Sequence, residues 1–363
     1  MEYRKLPRGK ELLSIIGMGS SVIGEADEEE IIRTVQSAMD AGINIFDLAA
    51  GYGNTFAAYG KAFAGKREQV YLQIHFGADY QNGEYGWTLD LDTIKAGVAR
   101  RLQELQTDYI DFGFIHCMDE ISDFEAYQRN GVLAYMLELK EQGVIRHIGL
   151  SSHTPSVANA ILDLGIVDLM MFSINPAYDY QHGDYGIGSG DERQALYRRC
   201  EKEGIGITVM KAFCGGQLLD VNQSPFHKEL SKYQCIQYAL DKPGVVSVLP
   251  GYANEKELKE VLQFFSASAE EKDYSVISSF TPDDAKGKCV YCKHCHPCPE
   301  GLDIALINKY YDLALLGDEL AKEHYLTLHK KADDCIACGH CNSRCPFHVD
   351  QAKRMKEIAE YFK

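Results

Sequence analysis

The chain has 363 residues, enough for one large α/β domain and a smaller second one, because single hydrophobic cores stop growing near ~250 to 300 residues. Its formal net charge of -16 excludes a nucleic-acid partner held through phosphates, since that attraction needs clustered Lys and Arg. Hydrophobic residues at 45% and charged residues at 25% describe a soluble globular protein, with no apolar run of the ~18 residues that would cross a membrane. The opening "MEYRKLPRGKELLSIIGMG" lacks an apolar segment followed by a small-residue cleavage site, so the expected location is cytoplasmic.

Short apolar runs alternate with helix-period segments from Ile15 onward. In chain order the runs are "SIIGMG", "INIFDLA", "VYLQIHF", "YIDFGFIH", "RHIGLSS", "VDLMMFSIN", "IGITVMKA" and "VVSVLPG". Continuous apolar character suits strands covered on both faces, as in a parallel sheet. Between them lie helical patterns such as "DEEEIIRTVQSAMDAG", in which Asp27 caps the start and Gly42 ends the helix. Eight such units predict a (β/α)8 TIM barrel over residues 1–268, with its active site at the C-terminal strand ends. A doubly wound sheet is the alternative, but "GMGSSVIG" has the wrong spacing for a dinucleotide-binding turn. Residues 269–363 are expected to form a polar linker and a second, small domain.

Eight of the 12 cysteines fall in that second part, as "CVYCKHCHPCPEG" and "CIACGHCNSRCPF". Triplets at C-x-x-C-x-x-C spacing, each followed by a cysteine before Pro, predict two 4Fe-4S clusters; zinc sites take separated pairs instead. A crossed arrangement assigns Cys289, Cys292, Cys295 and Cys345 to one cluster, and Cys335, Cys338, Cys341 and Cys298 to the other. The first run departs from the ferredoxin pattern, with only two residues before its fourth cysteine. The helical segment between the runs suits a small α-helical ferredoxin-like domain. Such a tail stores or conducts electrons, or is purely structural.

Three segments carry a resemblance. "AGINIFDLAAGYG", "LQTDYIDFGFIHCMD" and "GVIRHIGLSSHTP" resemble the aldo-keto reductase family, and the whole chain resembles its subgroup with a C-terminal 4Fe-4S domain. The resemblance implies hydride transfer between a nicotinamide and a small carbonyl or alcohol. It places Asp47, Tyr52 and His116 in the catalytic mouth, with the Tyr52 hydroxyl as general acid/base. At the end of the third strand, where the family carries a Lys, this sequence has His75. The expected catalytic set is therefore Asp47, Tyr52, His75 and His116, in which a histidine replaces a permanent cation by a titratable group.

The same resemblance marks Ser151, Ser152, Asn175, Gly251, Glu257 and Glu260 as cofactor-binding positions. Met171 and Met210 replace nicotinamide-facing residues, Val261 replaces an adenine-binding Asn, and Glu257 stands where relatives carry an Arg for a 2′-phosphate. An acid there favours NADH over NADPH. Tyr80, Tyr85, Trp87, Tyr178, Tyr180, His182 and Tyr185 lie in two loops that suit a polar or sugar-like substrate. Cys117 and Cys214 are assigned no role. Two further readings remain open: a reductase fed by a ferredoxin in place of a nicotinamide, and a barrel that only docks a redox partner.

Overall fold

The computed structural model describes residues 1–49, 55–81, 84–180, 186–279, 287–315 and 319–363. An antiparallel pair, β1 (Tyr3–Lys5) and β2 (Leu12–Ser14), precedes the main sheet. The barrel strands begin with β3 (Met18–Gly19), β4 (Ile45–Leu48) and β5 (Tyr71–Phe76). A short hairpin, β6 (Ala78–Gln81) and β7 (Glu84–Trp87), follows, and then come β8 (Ile110–Ile115), β9 (Ile145–Ser152), β10 (Leu169–Ser173), β11 (Gly206–Met210) and β12 (Val245–Val248). The parallel order is β3-β4-β5-β8-β9-β10-β11-β12. Bridges from Ile16 to Val248 and from Gly19 to Gly251 join the two ends, so the sheet closes as a TIM barrel.

Helices between the strands present an apolar stripe to the sheet. In α1 (Glu28–Asp40), Asp27 accepts from the Glu30 amide as N-cap, while Ile31, Thr34, Val35 and Ala38 are buried at helical spacing. The remaining barrel helices are α2 (Thr55–Ala62), α3 (Leu91–Glu104), α4 (Ile121–Arg129), α5 (Val132–Glu141), α6 (Pro155–Leu162), α7 (Pro176–Asp179), α8 (Gly190–Lys202), α9 (Lys232–Leu240) and α10 (Glu255–Leu262). Leu6 and Leu13 plug the N-terminal end of the barrel against Ile45, Phe112, Leu169 and Val246. At Gly149 a Cβ would sit 2.6 Å from the Phe114 ring, so glycine makes room for that ring in the barrel interior. Phe114 in turn stacks on His75 with centroids 4.9 Å apart, which orients the histidine.

The second domain contains α11 (Ile304–Ala314), α12 (Glu319–Thr327), α13 (His340–Arg344) and α14 (Gln351–Tyr361). It has its own apolar cluster, including Leu302, Ile307, Tyr325, Met355 and Phe362. The start of its first cysteine run, joined by Cys345 of the second, instead packs on the barrel core: Cys289, Val290, Cys292 and Cys345 lie against a cluster that also holds Phe347 and Val349. Tyr274 and Ile277, within the connecting segment, are fully buried, and the Tyr274 hydroxyl donates to the Val290 carbonyl at 3.2 Å. The connection is thus partly built into the core.

Candidate active site

β4, β5 and β8 carry inward side chains at alternate positions, and their last inward members meet at the C-terminal end of the barrel. The Asp47 carboxylate accepts from Gln73 Nε2 at 3.0 Å, and its Oδ1 lies 2.8 Å from His75 Nε2. On its other side, His75 Nδ1 is 2.8 Å from His116 Nδ1. His75 is fully buried, and Asp47 and His116 nearly so. Arg101 of α3 donates to the His75 carbonyl at 2.6 Å and to the Ala78 carbonyl, pinning the strand end from outside the barrel.

The geometry restricts the protons. Asp47 is an acceptor, so His75 Nε2 carries hydrogen. With His75 neutral, its Nδ1 accepts from His116 Nδ1–H, leaving His116 Nε2 bare. With His75 doubly protonated, the direction reverses and His116 carries its hydrogen on Nε2. Burial, and then the positive potentials of His75, Arg101 and His153, hold His116 well below the usual histidine range, so it is the neutral member. Asp47, His75 and His116 therefore stand together as one hydrogen-bonded chain, whereas Tyr52 lies outside the described residues.

That chain opens into a cavity of about 610 Å³, which Met171, Met210, Ser151 and Gly251 also line. Gly215 and Gly216 border it with φ of 65° and 92°, and a Cβ on either would meet nothing within 4 Å. Backbone so bare allows close approach by a nucleotide, so the cavity fits such a cofactor. Of the six positions expected to bind it, Ser151 and Gly251 face the cavity. The other four have protein partners. Ser152 Oγ contacts Asp119 at 3.4 Å, and Asn175 is fully buried, donating to the Lys211 carbonyl at 2.8 Å. Glu257 accepts from the Ala253 amide at 2.9 Å, and Glu260 pairs with Lys232 at 2.7 Å. Val261 is a core residue.

Among the loop aromatics, Trp87 donates to the His116 carbonyl at 3.3 Å and is 39% exposed, while Tyr178 is buried and Tyr180 half-buried. The Tyr80 and Tyr85 side chains, and His182 and Tyr185, lie outside the described part. Sequence reasoning missed two features. One is Arg101; the other is a polar group formed by Cys117, Asp119, His153 and Lys211, contributed by the ends of three strands. Nothing in the periodicity links those segments. The positive φ of Cys117 and Lys211, 51° and 57°, is visible only in the fold.

The eight clustered cysteines divide into two sets. Cys289, Cys292, Cys295 and Cys345 line one small cavity, and Cys298, Cys335, Cys338 and Cys341 line another. Tyr291 and Lys293, at φ of 62° and 60°, curl the first run around its cavity, and Ala337 and Gly339, at 53° and 75°, do so in the second. Burial pushes the Cys289 and Cys292 thiols up to about 11 and about 12, the cost of placing a thiolate there without a cation. Four sulfurs from two loops around each cavity fit an iron-sulfur cluster.

Comparison with known proteins agrees with this architecture. Residues 15–234 match the Aldo/keto reductase family, and residues 288–350 match a 4Fe-4S dicluster domain. The chain belongs to the aldo/keto reductase family and carries a C-terminal iron-sulfur domain. It is 26% identical over 310 residues to an uncharacterized oxidoreductase, YqkF, of Bacillus subtilis, covering 78% of this chain and 98% of that protein. L-galactose dehydrogenase of Arabidopsis thaliana is 24% identical over 291 residues, covering 72% and 86%. Among solved structures, aldo-keto reductase AKR11C1 from Bacillus halodurans in its holo form superposes with a TM-score of 0.62 at 24% identity, covering 78% and 97%, which shows the shared barrel. Among the described residues no helix is long and apolar enough to cross a membrane.

Proposed function

We propose that the chain interconverts a small, polar carbonyl compound and its alcohol, with Tyr52 as general acid/base and the Asp47–His75–His116 chain resupplying its proton. That hydrogen-bonded chain, ending in a cavity of about 610 Å³, is the observation that carries the reading. A bound nicotinamide supplies the hydride; Ser151, Gly215, Gly216 and Gly251 would hold the nucleotide, and Glu257 favours NADH over NADPH.

The chain's own residues manage the proton. In the reducing direction Tyr52 protonates the carbonyl oxygen. His116 Nε2–H then donates to the phenolate, and the His75 Nδ1 proton crosses to His116 Nδ1. The relay ends with one proton fewer on His75 and none lost elsewhere. Asp47 orients His75 through its Nε2, and His75 takes the place at the strand end where a lysine stands in the family pattern. Reversing the steps takes a proton from an alcohol. A relative named L-galactose dehydrogenase supports a polyhydroxy substrate.

The two cysteine sets are proposed as the ligands of two 4Fe-4S clusters, one per set. Their placement favours a second reading beside the first, in which the clusters conduct electrons. One set packs on the barrel core, while the other includes exposed Cys338 beside Ile336, which is 61% exposed, where a ferredoxin or similar carrier could dock. The test is an anaerobic titration of cluster-loaded protein with NADH and with NADPH, following nucleotide fluorescence and cluster absorption together. Saturable NADH binding supports the nicotinamide reading, and bleaching adds a redox role for the clusters. Binding of neither nucleotide overturns it in favour of carrier-fed electrons.

A further inference from the structure

The cavity has a second polar pole, which the proton chain of His75 does not use. Lys211 directly follows β11, and its Nζ lies 3.3 Å from His153 Nε2. His153 Nδ1 lies 2.9 Å from Asp119 Oδ2, and Asp119 Oδ1 accepts from the His153 amide at 2.6 Å. Lys211 and His153 border the same cavity as His75 and His116. The three groups form an amine, an imidazole and an orienting carboxylate in series, the arrangement that activates a nucleophile in covalent catalysis.

Two further observations set this group apart from a surface ion pair. The Lys211 backbone has φ of 57° and neighbouring Cys117 has 51°, and left-handed non-glycine residues collect at functional sites. The Asn175 amide holds Lys211 in that conformation through its carbonyl. Ligand atoms of Cys117, Asp119 and His153 all lie within 4.8 Å of one another, a spacing that also suits a cation. Both His153 nitrogens are already engaged, however, one by Asp119 and one by Lys211, so the group reads as a proton-carrying chain that ends in an amine.

We propose that Lys211 attacks the carbonyl carbon of the substrate and forms an imine, with His153 moving the protons and Asp119 fixing the His153 tautomer. This rests on the reading that the cavity takes carbonyl compounds. The Nζ lone pair forms the C–N bond, and His153 carries a proton from that nitrogen to the former carbonyl oxygen, giving a carbinolamine. One further proton from solvent, delivered through His153, lets the hydroxyl leave as water when the C–O bond breaks. The product is a protonated imine, and no electrons are gained or lost. Burial lowers the Lys211 ammonium below the usual lysine range, which raises the share of neutral, nucleophilic amine. An imine acidifies the adjacent C–H bonds, so the barrel would also exchange α-protons with solvent.

The test uses the full-length, cluster-loaded protein under anaerobic conditions at pH 7, with D-glyceraldehyde and cyanoborohydride and without nicotinamide, followed by peptide mapping by mass spectrometry. The expected result is an adduct that accumulates at Lys211 several-fold faster than at exposed lysines. Lys211→Arg abolishes the adduct at that position while retaining the positive charge. His153→Gln slows Lys211 labelling several-fold, in protein whose melting temperature and cluster absorption match the parent. Labelling spread evenly over exposed lysines, with Lys211 no faster, overturns the proposal. Adding NADH separates the two readings. Reduction of glyceraldehyde without a Lys211 adduct removes only the imine, whereas an adduct without NADH-dependent reduction supports the imine and removes the reductase reading.

Discussion

His75 Nδ1 lies 2.8 Å from His116 Nδ1, and a contact between two imidazole nitrogens holds only if one of them carries the hydrogen. Asp47 on the far side of His75 makes the direction of that bond depend on the charge of His75. The consequence is measurable. His75→Ala removes the middle of the chain and is expected to lower kcat by about 100-fold or more, the usual scale for a lost acid/base partner. His75→Lys, which supplies a fixed cation, should retain more activity than the alanine variant and flatten the alkaline limb of the kcat/KM profile for carbonyl reduction. Equal loss in both variants, with unchanged pH dependence, would count against the relay.

The crossed cysteine sets make an asymmetric prediction. Cys345 lies in the second run but borders the cavity of Cys289, Cys292 and Cys295, whereas Cys298 lies in the first run and borders the cavity of Cys335, Cys338 and Cys341. Cys345→Ser should therefore disturb the cluster against the barrel, and Cys298→Ser the outer one. Each variant is expected to lose up to about four irons per chain. Iron analysis with electron paramagnetic resonance of the reduced protein distinguishes the two signals; loss of the same signal in both variants would refute the crossing.

Arg101 is 3% exposed and ties α3 to the carbonyls of His75 and Ala78. Arg101→Met leaves those carbonyls without their charged donor in a buried place. A loss of about 2 to 4 kcal/mol is expected by anaerobic chemical denaturation, together with reduced turnover, because the end of β5 is released. Unchanged stability would mean that water or a neighbouring donor replaces the guanidinium.

At the opposite end of the barrel, His147 lies 3.1 Å from Asp168 and 3.2 Å from Glu11. Burial opposes its charge, yet the two carboxylates outweigh burial and raise His147 above the usual histidine range. A group raised on folding stabilises fully below its unfolded pKa of ~6.5, and that contribution disappears as pH rises through the folded value. The stability difference between the parent and His147→Phe should thus be largest near pH 5 to 6, within the ~pH 5 to 8 range where histidine titrates, and shrink on the alkaline side. Denaturation midpoints across that range check the sign; a difference that grows with pH would contradict it.

The barrel was legible because its signal is local and repeated: runs such as "VYLQIHF" must be covered on both faces, and Asp27 caps a helix through its own side chain. The cysteine triplets were legible for the same reason, since a ligand loop is contiguous in the chain. The family resemblance also singled out His75, at the strand end where the family carries a lysine. Only the folded barrel decided what these residues do to one another. Inward position depends on strand register, and register brings Asp47, His75 and His116 into a single hydrogen-bonded row. It likewise turns Asn175 and Glu260 toward protein partners, and joins Lys211, His153 and Asp119 from strand ends far apart in the chain. Hydrogen bonds act over about 3 Å, and no periodicity in a sequence specifies distances between strands that closure of the barrel alone makes neighbours.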